Sequence, residues 1–72
     1  MLRVQFNGNV TRQNVEFSRV SNNVVRLTGE KIPRKTEGFM MYLLNGDFLG
    51  DYSDYTVIVA DNGDSVQFGR PE

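Results

Sequence analysis

An all-β fold is predicted for this chain: a small antiparallel meander, closing as a sandwich or a partly open barrel, with about six short strands joined by tight hairpins. Three observations carry that prediction. Apolar residues recur with a period of two along most of the 72 residues, the spacing that puts alternate side chains on one face of a strand. Asn, Gly and Asp clusters interrupt the pattern at hairpin intervals. No segment holds the 3.6-residue apolar period of an amphipathic helix.

The elements follow in order. Leu2, Val4 and Phe6 fall on one face of a first strand, with Arg3, Gln5 and Asn7 on the other, and Asn7-Gly8-Asn9 supplies a turn. Val15 and Phe17 then alternate with Glu16 and Ser18, until Arg19-Val20 breaks the alternation. A bulge near Ser18 accounts for the break, since one extra residue shifts every later side chain to the opposite face. Ser21-Asn22-Asn23 turns the chain into a strand in which Val25 and Leu27 alternate with Arg26 and Thr28, ending at Gly29. Glu30 to Glu37 reads as the longest loop, because Pro33 lacks a backbone donor and cannot sit in a central strand.

The strand that follows is the least ordinary. Phe39, Met41 and Leu43 lie on one side, and Met40, Tyr42 and Leu44 on the other, so both faces are apolar. Asn45-Gly46 is the strongest hairpin signal in the chain, with Phe48-Leu49 returning and Gly50 allowing a bend. Tyr55 to Ala60 is rich in β-branched residues. Asp61-Asn62-Gly63-Asp64 makes a further turn, and Val66 and Phe68 form the last strand.

Size limits what such a chain can bury. Residues 1–72 are expected to form one small domain. At 8.2 kDa the folded surface should be roughly 4,500 Å² by the mass scaling law, with only about 60% of the unfolded surface buried. Small domains are commonly stapled by disulfides, a metal or oligomerisation. The chain has no Cys and no His, which removes disulfides and the usual zinc ligands. Self-association is the staple that remains. The two-sided strand supplies its candidate contact residues: Phe39, Met40, Met41, Tyr42 and Leu44.

Composition also narrows the partners. A formal net charge of −1 gives no overall attraction to double-stranded nucleic acid or to an anionic membrane. No apolar run approaches the ~20 residues of a membrane helix, and the alternating N-terminus is unlike a signal peptide. The cytoplasm is therefore the expected compartment.

Catalysis is not expected. Nucleophilic mechanisms ordinarily pair Ser or Cys with a base, most often His. Asp47, Asp51 and Asp54 cluster around the second hairpin, where carboxylates most commonly accept backbone N–H bonds in turns. Asp61-Asn62-Gly63-Asp64 lacks the alternating ligands and distal Glu of a calcium loop, and no metal or cofactor site is expected. Binding is the better expectation. Lys31, Arg34 and Lys35 share one loop, and Arg19 and Arg26 are expected on the polar face of the strands before it. Guanidinium groups pair with phosphate or carboxylate, and Tyr42, Tyr52 and Tyr55 offer rings on which a base could stack. Lys31, Arg34, Lys35, Tyr42 and Arg26 are thus the candidate ligand-binding residues for a small anion.

The segments Gly38-Phe39, Tyr42, Leu49-Gly50-Asp51-Tyr52-Ser53-Asp54-Tyr55-Thr56 and Val66-Gln67-Phe68 resemble small phage and prophage proteins of Firmicutes. Those proteins share a Gly-Phe-x-x-Tyr strand, a Leu-Gly-Asp-Tyr-Ser-Asp-Tyr/Phe-Thr segment and a terminal Val-Gln-Phe strand. The resemblance covers about the second half of the chain. Several relatives continue with a Tyr-Arg pair and close with an Asn-Asp-Gly turn. This chain has Val59-Ala60 and Gly69-Arg70 instead, and nothing is carried over to those positions. A phage origin implies a non-enzymatic homo-oligomer that antagonises host defence by sequestering a small anionic signal, a cyclic or ADP-ribose-type nucleotide, in the host cytoplasm. The alternatives are a tail or baseplate component of the virion, and an inhibitor that binds a host defence protein through the acidic Asp47–Asp54 face.

Overall fold

The computed structural model describes residues 1–6, 10–34 and 38–71. Their backbone forms seven strands: β1 (Leu2–Phe6), β2 (Val10–Ser21), β3 (Val24–Thr28), β4 (Phe39–Leu43), β5 (Phe48–Tyr52), β6 (Val57–Asn62) and β7 (Ser65–Gly69). All pairings are antiparallel and make one open sheet in the order β5-β4-β1-β2-β3-β7-β6. The architecture is the all-β one the alternation predicts, and β5 and β6 remain as free edges.

The 12-residue β2 organises everything else. Its first half pairs with β1, from Val10 opposite Phe6 to Val15 opposite Leu2. Its second half pairs with β3, from Glu16 opposite Thr28 to Ser21 opposite Val24. The sheet turns over along this shared strand. The handover falls beside Asn14, whose φ of 59° is a left-handed conformation that asparagine tolerates better than most residues. The two halves, β5-β4-β1-β2 and β2-β3-β7-β6, therefore face each other as two layers.

Between them lies the core. Val4, Phe6, Phe39 and Met41 come from the first layer, Val25, Leu27, Val66 and Phe68 from the second, and Val15 sits at the fold line. Phe68 bridges the layers, its ring centroid 5.5 Å from that of Phe39 and 6.2 Å from that of Phe6. The period-two pattern supplies these residues because inward positions on neighbouring strands are in register: Phe17, Leu27 and Val66 form one row, and Val25 and Phe68 another. Ile32, only 3% exposed, joins them from the loop after β3, which closes one end of the core.

Two features differ slightly from what alternation alone predicts. The bulge in β2 lies between Arg19 and Ser21, at Val20 and not at Ser18. Arg19 consequently stays in the inward row with Val25 and Phe68, on the core side of the sheet and not on a polar outer face. The Asn45-Gly46 hairpin forms as expected: Leu43 N–H donates to Asp47 O at 2.8 Å, and Gly46 N–H donates to Leu43 O at 2.9 Å. The turn expected at Asn7-Gly8-Asn9 lies outside the described residues.

The accessible surface is 4504 Å², the value expected for a compact monomer of this mass. Among the described residues, Val4, Val15, Val25, Leu27, Phe39, Val66 and Phe68 are all 0% exposed within a single chain.

Candidate functional site

Strand β4 separates the residues expected at an oligomer contact. Phe39 and Met41 are 0% and 4% exposed, packed in the core of their own chain. They are unavailable to a partner, and the expectation is corrected for both: the second layer, not another protomer, covers that face. Met40, Tyr42 and Leu44 remain outward. In register across the sheet, Arg3, Tyr42 and Phe48 form one outer row, and Gln5, Met40 and Asp51 the next.

The outer rows make an apolar patch with a charged margin. The Tyr42 and Phe48 rings meet edge to face at 5.6 Å, and the Arg3 guanidinium lies 5.8 Å over the Tyr42 ring. Phe48, Leu49 and Leu44 are 57%, 48% and 47% exposed, so three large apolar side chains stand in water at the β4–β5 hairpin. A bulge between Met41 and Tyr42 sets Phe48 and Leu49 together at the free edge. On β6, the other edge, the register also shifts between Ile58 and Ala60. Bulges at both edges oppose strand-by-strand addition, which leaves the broad outer face as the surface suited to association.

Among the described residues, the expected ligand-binding side chains do not converge. Arg34 is held inside its own chain: Nε pairs with Asp61 Oδ1 at 2.6 Å, Nη1 donates to Ile32 O at 2.7 Å, and Nη2 donates to Gly63 O. It ties the loop after β3 to the β6–β7 turn. Lys31 is exposed, with φ of 56°, and its carbonyl accepts from Arg12 Nε at 2.9 Å. Arg26 stands on the outer face of the second layer between Ser18 and Gln67, while Tyr42 is on the outer face of the first. Lys35 lies outside the described residues. Among the described residues, Lys31, Arg34, Arg26 and Tyr42 therefore do not build one anion pocket.

A different cluster forms where the chain passes from β5 to β6, at the end of the core opposite the loop that carries Ile32. Tyr55 is 5% exposed, and its N–H donates to Tyr52 O at 3.0 Å. The Tyr52 ring is stacked on Phe39 at 5.3 Å with 4° between planes and meets Phe17 at 5.6 Å. Arg19, in the inward row of β2, donates from Nη1 to Asn22 O at 3.5 Å, and the Tyr55 phenol first, with Tyr52 after it, raises its pKa above the ordinary arginine value. Arg70 approaches the same Tyr55 ring at 5.9 Å and pairs with Asp54 at 3.3 Å. Asp51 is bonded to the Ser53 hydroxyl and backbone N–H, which lowers its pKa. Asp51 thus serves its turn, as its sequence context suggests, whereas Asp54 pairs with Arg70.

A shallow depression of about 370 Å³ lies elsewhere, lined by Gln13, Asn14, Thr28, Gly29, Glu30 and Asp64. Its charged lining is acidic, which opposes an anionic ligand. No helix among the described residues is long and apolar enough to cross a membrane. Comparison with known proteins matches no family, no curated protein and no solved structure.

Sequence reasoning passes over Phe48, Leu49 and Arg70 as functional residues. Phe48-Leu49 does carry a signal: two adjacent large apolar residues after a tight turn cannot both point inward along a strand. Arg70 carries none, since its neighbours Tyr55 and Asp54 are brought to it only by the β6–β7 pairing.

Proposed function

We propose that this protein is a non-catalytic binding protein that works as a homo-oligomer, its copies meeting through the outer face of β4 and β5. The exposed Phe48, Leu49 and Leu44 of the β4–β5 hairpin, with Tyr42 in contact with Phe48, carry this reading, because large apolar side chains gathered at the surface of a small protein mark an interaction site. The occupant we assign is a second copy of the chain. A two-fold contact sets each surface against itself, and this one carries both signs at its margin: Arg3 on β1, beside the Asn45-Gly46 turn, and Asp51 across β4 on the edge strand β5. Turning one copy over the other brings Arg3 towards the partner's acidic side in both directions. The molecule measures 32 × 23 × 23 Å. A standard interface takes about 800 Å² per partner, so it would engage most of one broad face, with the apolar patch at the β5 edge and Arg3, Gln5 and Thr11 extending it across β1 and β2.

The resemblance of Leu49–Thr56 to small phage proteins supports a setting in infection. In that setting the oligomer sequesters a small anionic, nucleotide-type signal and so antagonises host defence. A virion role is the second reading, favoured by the same patch acting on a larger phage protein.

Sedimentation of Phe48→Ser against Val57→Ser tests the assignment, because both residues are exposed and lie on opposite edges. Phe48→Ser should shift the species towards monomer while Val57→Ser leaves it in place. Equal behaviour of the two variants would remove β4–β5 as the contact.

A further inference from the structure

The geometry points to the β5–β6 corner as an oxyanion site, in which Arg19 and Arg70 close on a phosphate or carboxylate group above Tyr55. This deepens the sequestration reading and rests on it for biological meaning, although the binding itself does not require the oligomer.

Two guanidinium groups reach one tyrosine from different strands. Arg19 arrives from β2 in the inward row with Val25 and Phe68, two residues on from Phe17 and just before the Val20 bulge. Arg70 arrives from the end of β7, where its N–H donates to Asn23 O at 3.1 Å and its guanidinium lies over the Tyr55 ring. What holds them differs from what holds the other arginines. The Arg34 guanidinium is neutralised by Asp61 and donates to two backbone carbonyls. Arg19 instead has only neutral partners, the Asn22 carbonyl, which accepts from Nη1 at 3.5 Å, and the phenols of Tyr55 and Tyr52: they orient the fork without cancelling its charge. Arg70 has a carboxylate partner, but Arg70 and Asp54 are 47% and 59% exposed, and ion pairs so open to water contribute little. An incoming oxyanion can therefore replace Asp54, and can be held by charge-assisted bonds from both forks.

The same packing limits what else the site can recognise. Tyr52 already has one ring face stacked on Phe39, and Tyr55 is buried. The Tyr52 ring is also met by Phe17 at 5.6 Å and Tyr55 at 5.1 Å, so within one chain the site reads the anionic group and not the base. A nucleoside monophosphate and inorganic phosphate should then bind alike. Any preference for the nucleotide must come from a second copy.

The test is an NMR titration of arginine Nε–H and tyrosine ring signals of the intact chain with inorganic phosphate, acetate and adenosine monophosphate. The same series is run on Phe48→Ser, Arg19→Gln, Arg70→Gln and Arg26→Gln. We expect saturable shifts at Arg19, Arg70 and Tyr55 that persist in Phe48→Ser. Affinity should fall at least tenfold in Arg19→Gln and severalfold in Arg70→Gln, and stay unchanged in Arg26→Gln. Phosphate above acetate would identify a phosphoryl source for the natural ligand, and the reverse a carboxylate source. Shifts spread evenly over all arginines, or unaltered affinity in Arg19→Gln with its fold intact by its amide spectrum, would overturn the site. Saturation in the monomeric Phe48→Ser variant would uphold the site even where the oligomer reading had failed.

Discussion

Replacing Gly38 with alanine should damage this protein far more than its single methyl group suggests. Gly38 has φ of 101°, beyond the left-handed basin that L-residues occasionally enter. A Cβ built there would lie 2.3 Å from Ser53 O and 2.5 Å from Ser53 Cα. Both are backbone atoms, so no side chain can swing aside. The left-handed conformation costs an L-residue about 1–2 kcal/mol, and forcing a methyl group into a closed contact costs about 1–3 kcal/mol more. The sum is about 2–5 kcal/mol, against a total stability of roughly 4–11 kcal/mol for a domain of this length. Gly63→Ala is the control. Gly63 also has positive φ, 63°, but nothing lies within 4 Å of where its methyl group would stand, so only the conformational cost of about 1–2 kcal/mol applies. Urea unfolding followed by far-ultraviolet circular dichroism, at one fixed protomer concentration, measures both. A Gly38→Ala midpoint no lower than that of Gly63→Ala would refute the close approach of β4 to the β5–β6 corner.

Three further outcomes follow from the same contacts. Phe68→Ala removes the ring that bridges the layers and should cost about 3–5 kcal/mol, read as a lower urea midpoint; a loss below about 1 kcal/mol would mean that the layers do not close on it. Asp51 is held below the ordinary aspartate value of 3.8 by the Ser53 hydroxyl first and the Ser53 N–H second. Its folded-state pKa is depressed, so its contribution to stability is present above the ordinary carboxylate range and is lost as pH falls through the lowered value. In Ser53→Ala the Asp51 pKa should rise towards 3.8 in an NMR pH titration, and an unmoved value would contradict the hydroxyl's part. Arg34→Gln should lower stability by about 1 kcal/mol, since its ion pair is nearly half exposed and its carbonyl bonds are lost, while phosphate titration at Arg19 stays as in the parent chain.

Much of the fold is legible in the sequence because each strand has one inward face, and a period of two names it. Val4, Phe6, Val25, Leu27, Val66 and Phe68 are identified that way. The fold line is not, because it depends on Asn14 adopting a left-handed conformation in the middle of a 12-residue strand, and nothing around Asn14 announces a turn. Strand β4 shows the limit for the site. Its two apolar faces are real, yet the sequence cannot say which one the chain covers for itself; Phe39 and Met41 go inward because β7 carries Phe68 opposite them. The basic loop misleads for a related reason. Lys31 and Arg34 are close in sequence, but Arg34 is engaged by Asp61 and Gly63, which only the packing of the β6–β7 turn brings near. Arg19 and Arg70 are 51 positions apart and meet solely through the pairings of β2, β3 and β7.

Sedimentation equilibrium of the unaltered chain across a wide protomer concentration range tests the central claim most directly. The account predicts a reversible dimer or higher closed oligomer at micromolar concentration, with a mass that is a whole multiple of 8.2 kDa. A single 8.2 kDa species at every concentration would contradict it, and would leave the Tyr42–Phe48 face to a partner other than a second copy.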